Sequence, residues 1–253
     1  MVFTRRIERT YRVRFDEAGP DGSLKSGGYL RFAQDLAWIH SESGGFGRDW
    51  YSERGLTWLV RAIELDILDD VQYGGELTVS TEVTGFRRVW ARRRSEFHAT
   101  NSERKIAEAI TDWVLLNERG IPTTVPSEIA DAFVQPDTDF TPLRLRLPET
   151  PQDAAELPMR VHRMEVDPMA HVNNAAYIDY LDEHFLAGKR SRATMPLPRR
   201  YRAEFIASAE PYARLIGRGW DDGETWCYRL DDEAGGEMLR ARLEVDPATW
   251  VGG

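Results

Sequence analysis

The stretch Asp167-Pro168-Met169-Ala170-His171-Val172-Asn173-Asn174-Ala175-Ala176-Tyr177-Ile178-Asp179-Tyr180 decides how the rest of the chain is read. Its first eight residues hold an acid, an imidazole and two amides around a proline. After them Tyr177, Ile178, Leu181 and Phe185 share one helical face, which predicts a helix over 174–187. Asn173 or Asn174 suits its N-cap. A helix begins with amide N–H groups that lack intrahelical partners, and its dipole adds positive potential there. Such an end can stabilise an oxyanion formed from a carbonyl under attack. Asp167 and His171 sit beside it, where they can orient or deprotonate water.

Outward from this loop the chain shows a duplication. Residues 9–15 alternate as a half-buried strand. Tyr29, Phe32, Ala33, Leu36, Ala37 and His40 then mark an amphipathic helix over 29–43. Extended candidates follow at 58–68, 76–84, 89–99 and 106–117. After a gap the order restarts, with a strand at 159–166, the 174–187 helix, and strands at 200–207, 212–219, 225–231 and 238–245. The gap holds Pro122, Pro126, Pro136, Pro142, Pro148, Pro151 and Pro158, seven of the 13 prolines, and reads as a crossover with one short helix at 127–133. Two similar α+β units packed as a pseudo-dimer are expected: residues 1–120, a proline-rich crossover at 121–158, and 159–253. The loop before the first helix reads Asp16-Glu17-Ala18-Gly19-Pro20-Asp21. It lacks the histidine and amides, so chemistry is expected in the second unit alone.

Composition excludes several function classes. A net charge of -9 disfavours broad nucleic-acid binding, which needs Lys and Arg to neutralise phosphates. No apolar run reaches the roughly 20 residues that span a bilayer, and no secretory signal is legible, so a cytoplasmic protein is expected. Cys227 is the single cysteine, which removes intrachain disulfides and cysteine-rich metal sites. The basic residues are nearly all arginine, with clusters at Arg87-Arg88, Arg92-Arg93-Arg94 and Arg199-Arg200. A solvated face is the plainer reading of these; docking of an acidic carrier is the other.

Asp-Pro-Met-Ala-His-Val-Asn-Asn-Ala-Ala-Tyr resembles the D-x-x-x-H-V-N-N-x-x-Y signature of hotdog-fold thioesterases. Leu56-Thr57-Trp58-Leu59-Val60-Arg61, Gly85-Phe86-Arg87-Arg88, Asp112-Trp113-Val114-Leu115-Leu116-Asn117 and Pro126-Ser127-Glu128-Ile129 extend the likeness, in order, to the acyl-acyl-carrier-protein thioesterases of plants and bacteria. The resemblance implies two tandem hotdog domains, each a curved antiparallel sheet around a central helix. The first would shape an acyl pocket. It implies hydrolysis of a fatty acyl thioester on acyl carrier protein, with no metal or organic cofactor, by a protein that is a monomer or a homodimer.

The family's catalytic group is a D-x-N-x-H loop plus a glutamate in a Y-x-x-E-C context. Asp167, His171 and Glu204, the last in Tyr201-Arg202-Ala203-Glu204-Phe205, match it. Met169 stands where the family has asparagine and Phe205 where plant members have cysteine. The resemblance therefore points to a water activated through Asp167 and Glu204, with His171 positioning and Asn173, Asn174 and Met169 at the substrate. The rivals are a coenzyme A thioesterase, a hydratase on the same fold, and a carrier-binding protein without hydrolysis. A metal site from His162, Asp167, His171 and His184 matches no metal-binding spacing. Trp38, Trp58 and Trp113 are expected to pack the first unit's core or line an acyl tunnel.

Overall fold

The structure is a computed structural model that describes residues 4–133, 140–188 and 195–245. The first unit runs β1 (Arg6–Arg12), α1 (Ser26–Ser43), α2 (Arg48–Glu53), β2 (Thr57–Ile67), β3 (Glu76–Arg87), β4 (Trp90–Ala99) and β5 (Lys105–Leu116). After α3 (Ser127–Phe133) the second unit runs β6 (Ala155–Arg160), α4 (Asn174–Ala187), β7 (Arg199–Phe205), β8 (Arg214–Asp222), β9 (Thr225–Asp232) and β10 (Glu237–Glu244). All ten strands pair antiparallel in one sheet, in the order β1-β3-β4-β5-β2-β7-β10-β9-β8-β6. The two units are hotdog folds, fused into one sheet where β2 pairs with β7, Ile63 opposite Ala203 and Leu65 opposite Tyr201.

The helices α1 and α4 pack against each other and against one face of this sheet, enclosing a core that includes Tyr29, Leu36, Leu65, Phe97, Tyr177, Leu181 and Tyr201. Burying such side chains contributes roughly 1.5–3 kcal/mol each, which is why the apolar stripes read from sequence find each other. The other face is crossed by the segment before β6. Arg92 donates to the Thr141 carbonyl (2.9 Å), Arg240 to that of Leu145 (3.3 Å) and Arg242 to that of Arg146 (2.8 Å). These bonds strap an irregular chain, whose carbonyls would otherwise lack partners, onto the sheet.

One expectation is corrected. The strand expected at 159–166 starts earlier and ends at Arg160, because β6 lies on the sheet edge, where Pro158 costs no ladder bond. Arg163–Glu165 instead forms a 3-10 turn. Of the arginines in the three clusters, Arg92, Arg94 and Arg200 are held by carboxylates. Arg92 forks onto Asp112 (2.7 and 2.8 Å), Arg94 bonds Glu82, and Arg200 forks onto Asp66 (2.6 and 2.7 Å). Among the described residues no helix is long and apolar enough to cross a membrane, and no cluster of acidic, histidine or cysteine side chains is arranged to hold a metal.

Candidate active site

The loop that leads into α4 is a closed turn. Asp167 N–H donates to the His171 carbonyl (2.8 Å), Ala170 N–H to that of Asp167 (2.9 Å), and Asn173 N–H to that of Glu165 (2.8 Å). The Asp167 side chain completes it, Oδ1 accepting from Met169 N–H at 2.9 Å and from His171 N–H at 3.4 Å. Oδ2 has no partner among the described residues. Asn173 is the N-cap: its Oδ1 accepts from Ala175 N–H at 2.9 Å, its carbonyl accepts from Ala176 N–H, and its Nδ2 donates to Gln34 Oε1 at 3.1 Å. The amide of Asn174 is thus the one leading N–H of α4 that no described residue uses, and it lies at the positive end of the helix dipole.

The first unit repeats this loop bond for bond. Gly19 N–H donates to Ser23 O (2.8 Å), Gly22 N–H to Gly19 O (2.9 Å) and Lys25 N–H to Glu17 O (3.0 Å). Gly19 therefore corresponds to Asp167, Gly22 to Ala170, Ser23 to His171 and Lys25 to Asn173. The structural counterpart of the Asp167 loop begins three residues later than the Asp16 start expected from sequence. At the counterpart positions the acid, the imidazole and the amide are all absent, and Ser23 is buried with Gln72 donating to its hydroxyl (2.9 Å).

From the Asp167 loop a cavity of about 900 Å³ runs into the first unit between α1 and the sheet. Its mouth is formed by Asp167, Met169, His171, Asn173, Asn174 and Gln34. Its walls include Ala37, Val60, Val83, Phe86, Ile129 and Phe133, so α2 and α3 close a space that the hotdog unit alone would leave open. Trp38, Trp58 and Trp113 line it as well. Phe205 and the 206–208 segment form the opposite lip, held by Arg61, which donates to the Ile206 carbonyl (3.0 Å), and by Tyr177, whose hydroxyl accepts from Ala209 N–H (2.9 Å).

Of the six residues singled out from sequence, five meet at this mouth. Glu204 does not. Tyr201, Ala203 and Phe205 point to the helix face of β7: Tyr201 Oη donates to Asp182 (2.8 Å) and the Phe205 ring packs on Tyr177. Alternation sends Glu204 to the opposite face, buried beneath the crossover segment. There Oε1 accepts from Arg144 (2.8 Å) and lies 3.5 Å from Arg61, and Oε2 accepts from Leu145 N–H (3.2 Å). Its surroundings are those of a structural ion pair. Sequence reasoning also missed Gln34, which reaches the site from the other unit.

Comparison with known proteins agrees with this architecture. The sequence model described as the acyl-ACP thioesterase N-terminal domain matches residues 4–133. A chloroplastic acyl-acyl-carrier-protein hydrolase of Cuphea viscosissima is 23% identical over 265 residues, covering 95% of this chain and 63% of its own. The dodecanoyl-acyl-carrier-protein hydrolase of Umbellularia californica is 24% identical over 261 residues, covering 95% of this chain and 68% of its own. This chain therefore spans somewhat less than two thirds of the Cuphea relative's length. In fold it is similar to an acyl-ACP thioesterase from Bacteroides thetaiotaomicron (TM-score 0.82, 16% identity, 96% of this chain and 98% of that one). It is likewise similar to the 12:0-ACP thioesterase of Umbellularia californica (TM-score 0.79, 20% identity, 96% and 98%). With more than half of its length matched by the family's own domain, this chain belongs to the acyl-ACP thioesterase family.

Proposed function

We propose that the chain hydrolyses fatty acyl thioesters of acyl carrier protein, in the cytoplasm, using Asp167, His171 and the N-terminus of α4. The observation that carries this reading is a carboxylate with one oxygen unbonded among the described residues, an imidazole and a helix amide, all lining one largely apolar cavity. In the division of labour proposed, residues 1–120 supply most of the acyl pocket, the crossover at 121–158 adds Ile129 and Phe133 to its wall, and 159–253 supply the reacting groups. Water gives up a proton to Asp167 as its oxygen attacks the thioester carbonyl. The oxyanion is received by the Asn174 amide, with the Asn174 side chain and the His171 imidazole at the carbonyl. Collapse of the intermediate breaks the carbon–sulfur bond, and the sulfur leaves as the carrier thiol with the proton held by Asp167. Asn173 holds the mouth in register with α1 through Gln34, and Met169 covers its rim. Glu204 has no part in this scheme.

Thiol release from acyl-carrier-protein and coenzyme A thioesters of graded length tests it, with Asp167→Asn run in parallel. The substitution keeps an oxygen for the loop amides, so the turn survives. A drop in kcat of about 10²-fold or more with an unchanged melting temperature is expected for the favoured substrate. No cleavage by the wild type, or equal rates, overturns the reading in favour of carrier binding without hydrolysis.

A further inference from the structure

The inward side of β4 carries Ala91, Arg93, Ser95 and Phe97. Arg93 is foreign to a core face. It lines the cavity beside the C-terminal part of α1, donating from Nη1 to His40 Nδ1 (3.0 Å) and to Thr81 Oγ1 (3.2 Å). Neither partner is an acid. Its strand neighbours Arg92 and Arg94 are matched to Asp112 and Glu82, whereas no carboxylate pairs with Arg93 among the described residues. Nε and Nη2 bond none of the described residues, and the side chain lines the cavity. Loss of water lowers the Arg93 pKa to about 10, which still leaves a cation at neutral pH.

A charge taken out of water without a partner is costly, and a guanidinium with its fork unused is shaped for a carboxylate. Distance fits a ligand that spans the cavity. Gln34, bonded to Asn173 at the mouth, and His40, bonded to Arg93, are six residues apart on α1, about 9 Å at 1.5 Å per residue. Ala37, Trp38, Val60 and Trp113 supply apolar lining along this stretch, with Asp35 and Glu42 of α1 also among the lining residues. The cavity thus offers the Asp167 loop, apolar lining and, beside the C-terminal part of α1, a guanidinium that no carboxylate of the described residues pairs. We propose that it takes acyl groups whose far end carries a carboxylate, received by Arg93. This rests on the acyl-thioesterase reading of the Asp167 loop. A plain fatty chain would leave the Arg93 cation unmatched.

Binding decides the matter without hydrolysis. Tryptophan fluorescence, reporting from Trp58 and Trp113, is titrated with straight-chain dicarboxylic acids and with monocarboxylic acids of matched length. The wild type is expected to bind the best dicarboxylate at least about tenfold more tightly than its matched partner, a difference of roughly 1.4 kcal/mol. Arg93→Met is expected to abolish or reverse that ratio and Arg93→Lys to keep part of it. Ratios within one protein do not depend on how much of a variant folds. Equal or tighter binding of the monocarboxylates by the wild type overturns the proposal, as does a ratio unchanged in Arg93→Met. The same ratio is read in kcat/KM for thioesters with carboxylate and methyl ends. If no thioester is cleaved, the hydrolase reading fails while the binding ratio still judges the role of Arg93.

Discussion

Arg31 on α1 and Asp179 on α4 occupy equivalent positions in the two repeats and form an ion pair with each other. The correspondence set by the loop bonds, carried along both helices, puts Gly27 opposite Ala175 in the same way. A Cβ on Gly27 would approach the Ala175 carbonyl to 2.9 Å, closer than real Cβ contacts come. Alanine ordinarily favours a helix over glycine by about 1 kcal/mol, but this neighbour is backbone and cannot rotate away. Gly27→Ala is therefore expected to destabilise the fold by about 1–3 kcal/mol, seen as a lower urea midpoint. An unchanged midpoint would mean that the helices slide apart freely at the pseudo-twofold crossing.

Gly22 and Ala170 are the equivalent left-handed residues of the two loops, with φ of 81° and 61°. An L-residue pays about 1–2 kcal/mol for that conformation and glycine does not. Gly22→Ala adds that strain and brings its Cβ within 2.7 Å of Gln72 Oε1, so a loss of about 1–2 kcal/mol is expected. Ala170→Gly relieves strain but frees the unfolded chain, which costs about 0.4–1 kcal/mol, so it is expected to be neutral or slightly stabilising. In thermal melts, a midpoint unchanged in Gly22→Ala or clearly lowered in Ala170→Gly would refute the equivalence of the loops.

The repeat was legible because amphipathic helices and alternating strands leave periodic marks: α4 begins at Asn174 and α3 spans Ser127–Phe133, as the residues predict. What escaped was short or depended on a face. At six residues α2 is too brief to show a period. Placing Glu204 by motif overlooked strand alternation, which with Tyr201 and Phe205 turned inward already sends it outward. The same rule puts Arg93 inward beside Ala91 and Phe97. Gln34 was not legible, since only the packing of two units brings α1 to the mouth of α4.

Glu204 separates family likeness from geometry. Glu204→Gln keeps the shape but leaves Arg144 and Arg61 without their shared charge. Arg144 is half-exposed and water screens part of the loss, so a destabilisation of about 1–3 kcal/mol is expected, below the cost of breaking a fully buried pair. Turnover of any accepted thioester is expected to stay within a few-fold of wild type. A loss of kcat comparable with that of Asp167→Asn, in a variant still folded, would return Glu204 to the reacting groups.

Acid should loosen the cavity lining around Arg93 through His40. Burial first, then the charge of Arg93, lowers its pKa to about 4; the Thr4 carbonyl that its Nε2 contacts and the charge of Glu82 oppose this only in part. The ring is neutral in the folded protein and takes up a proton on unfolding near pH 6.5. Its contribution is therefore fully present above about pH 6.5 and is lost as pH falls toward 4, by up to about 1.4 kcal/mol per pH unit. His40→Gln can still accept from Arg93 and donate to the carbonyl but cannot titrate. Urea unfolding between neutral pH and pH 4 should show a shallower decline for His40→Gln than for wild type, from a lower starting stability. Parallel curves would mean that other groups carry the acid sensitivity and that His40 is protonated as readily in the fold as outside it.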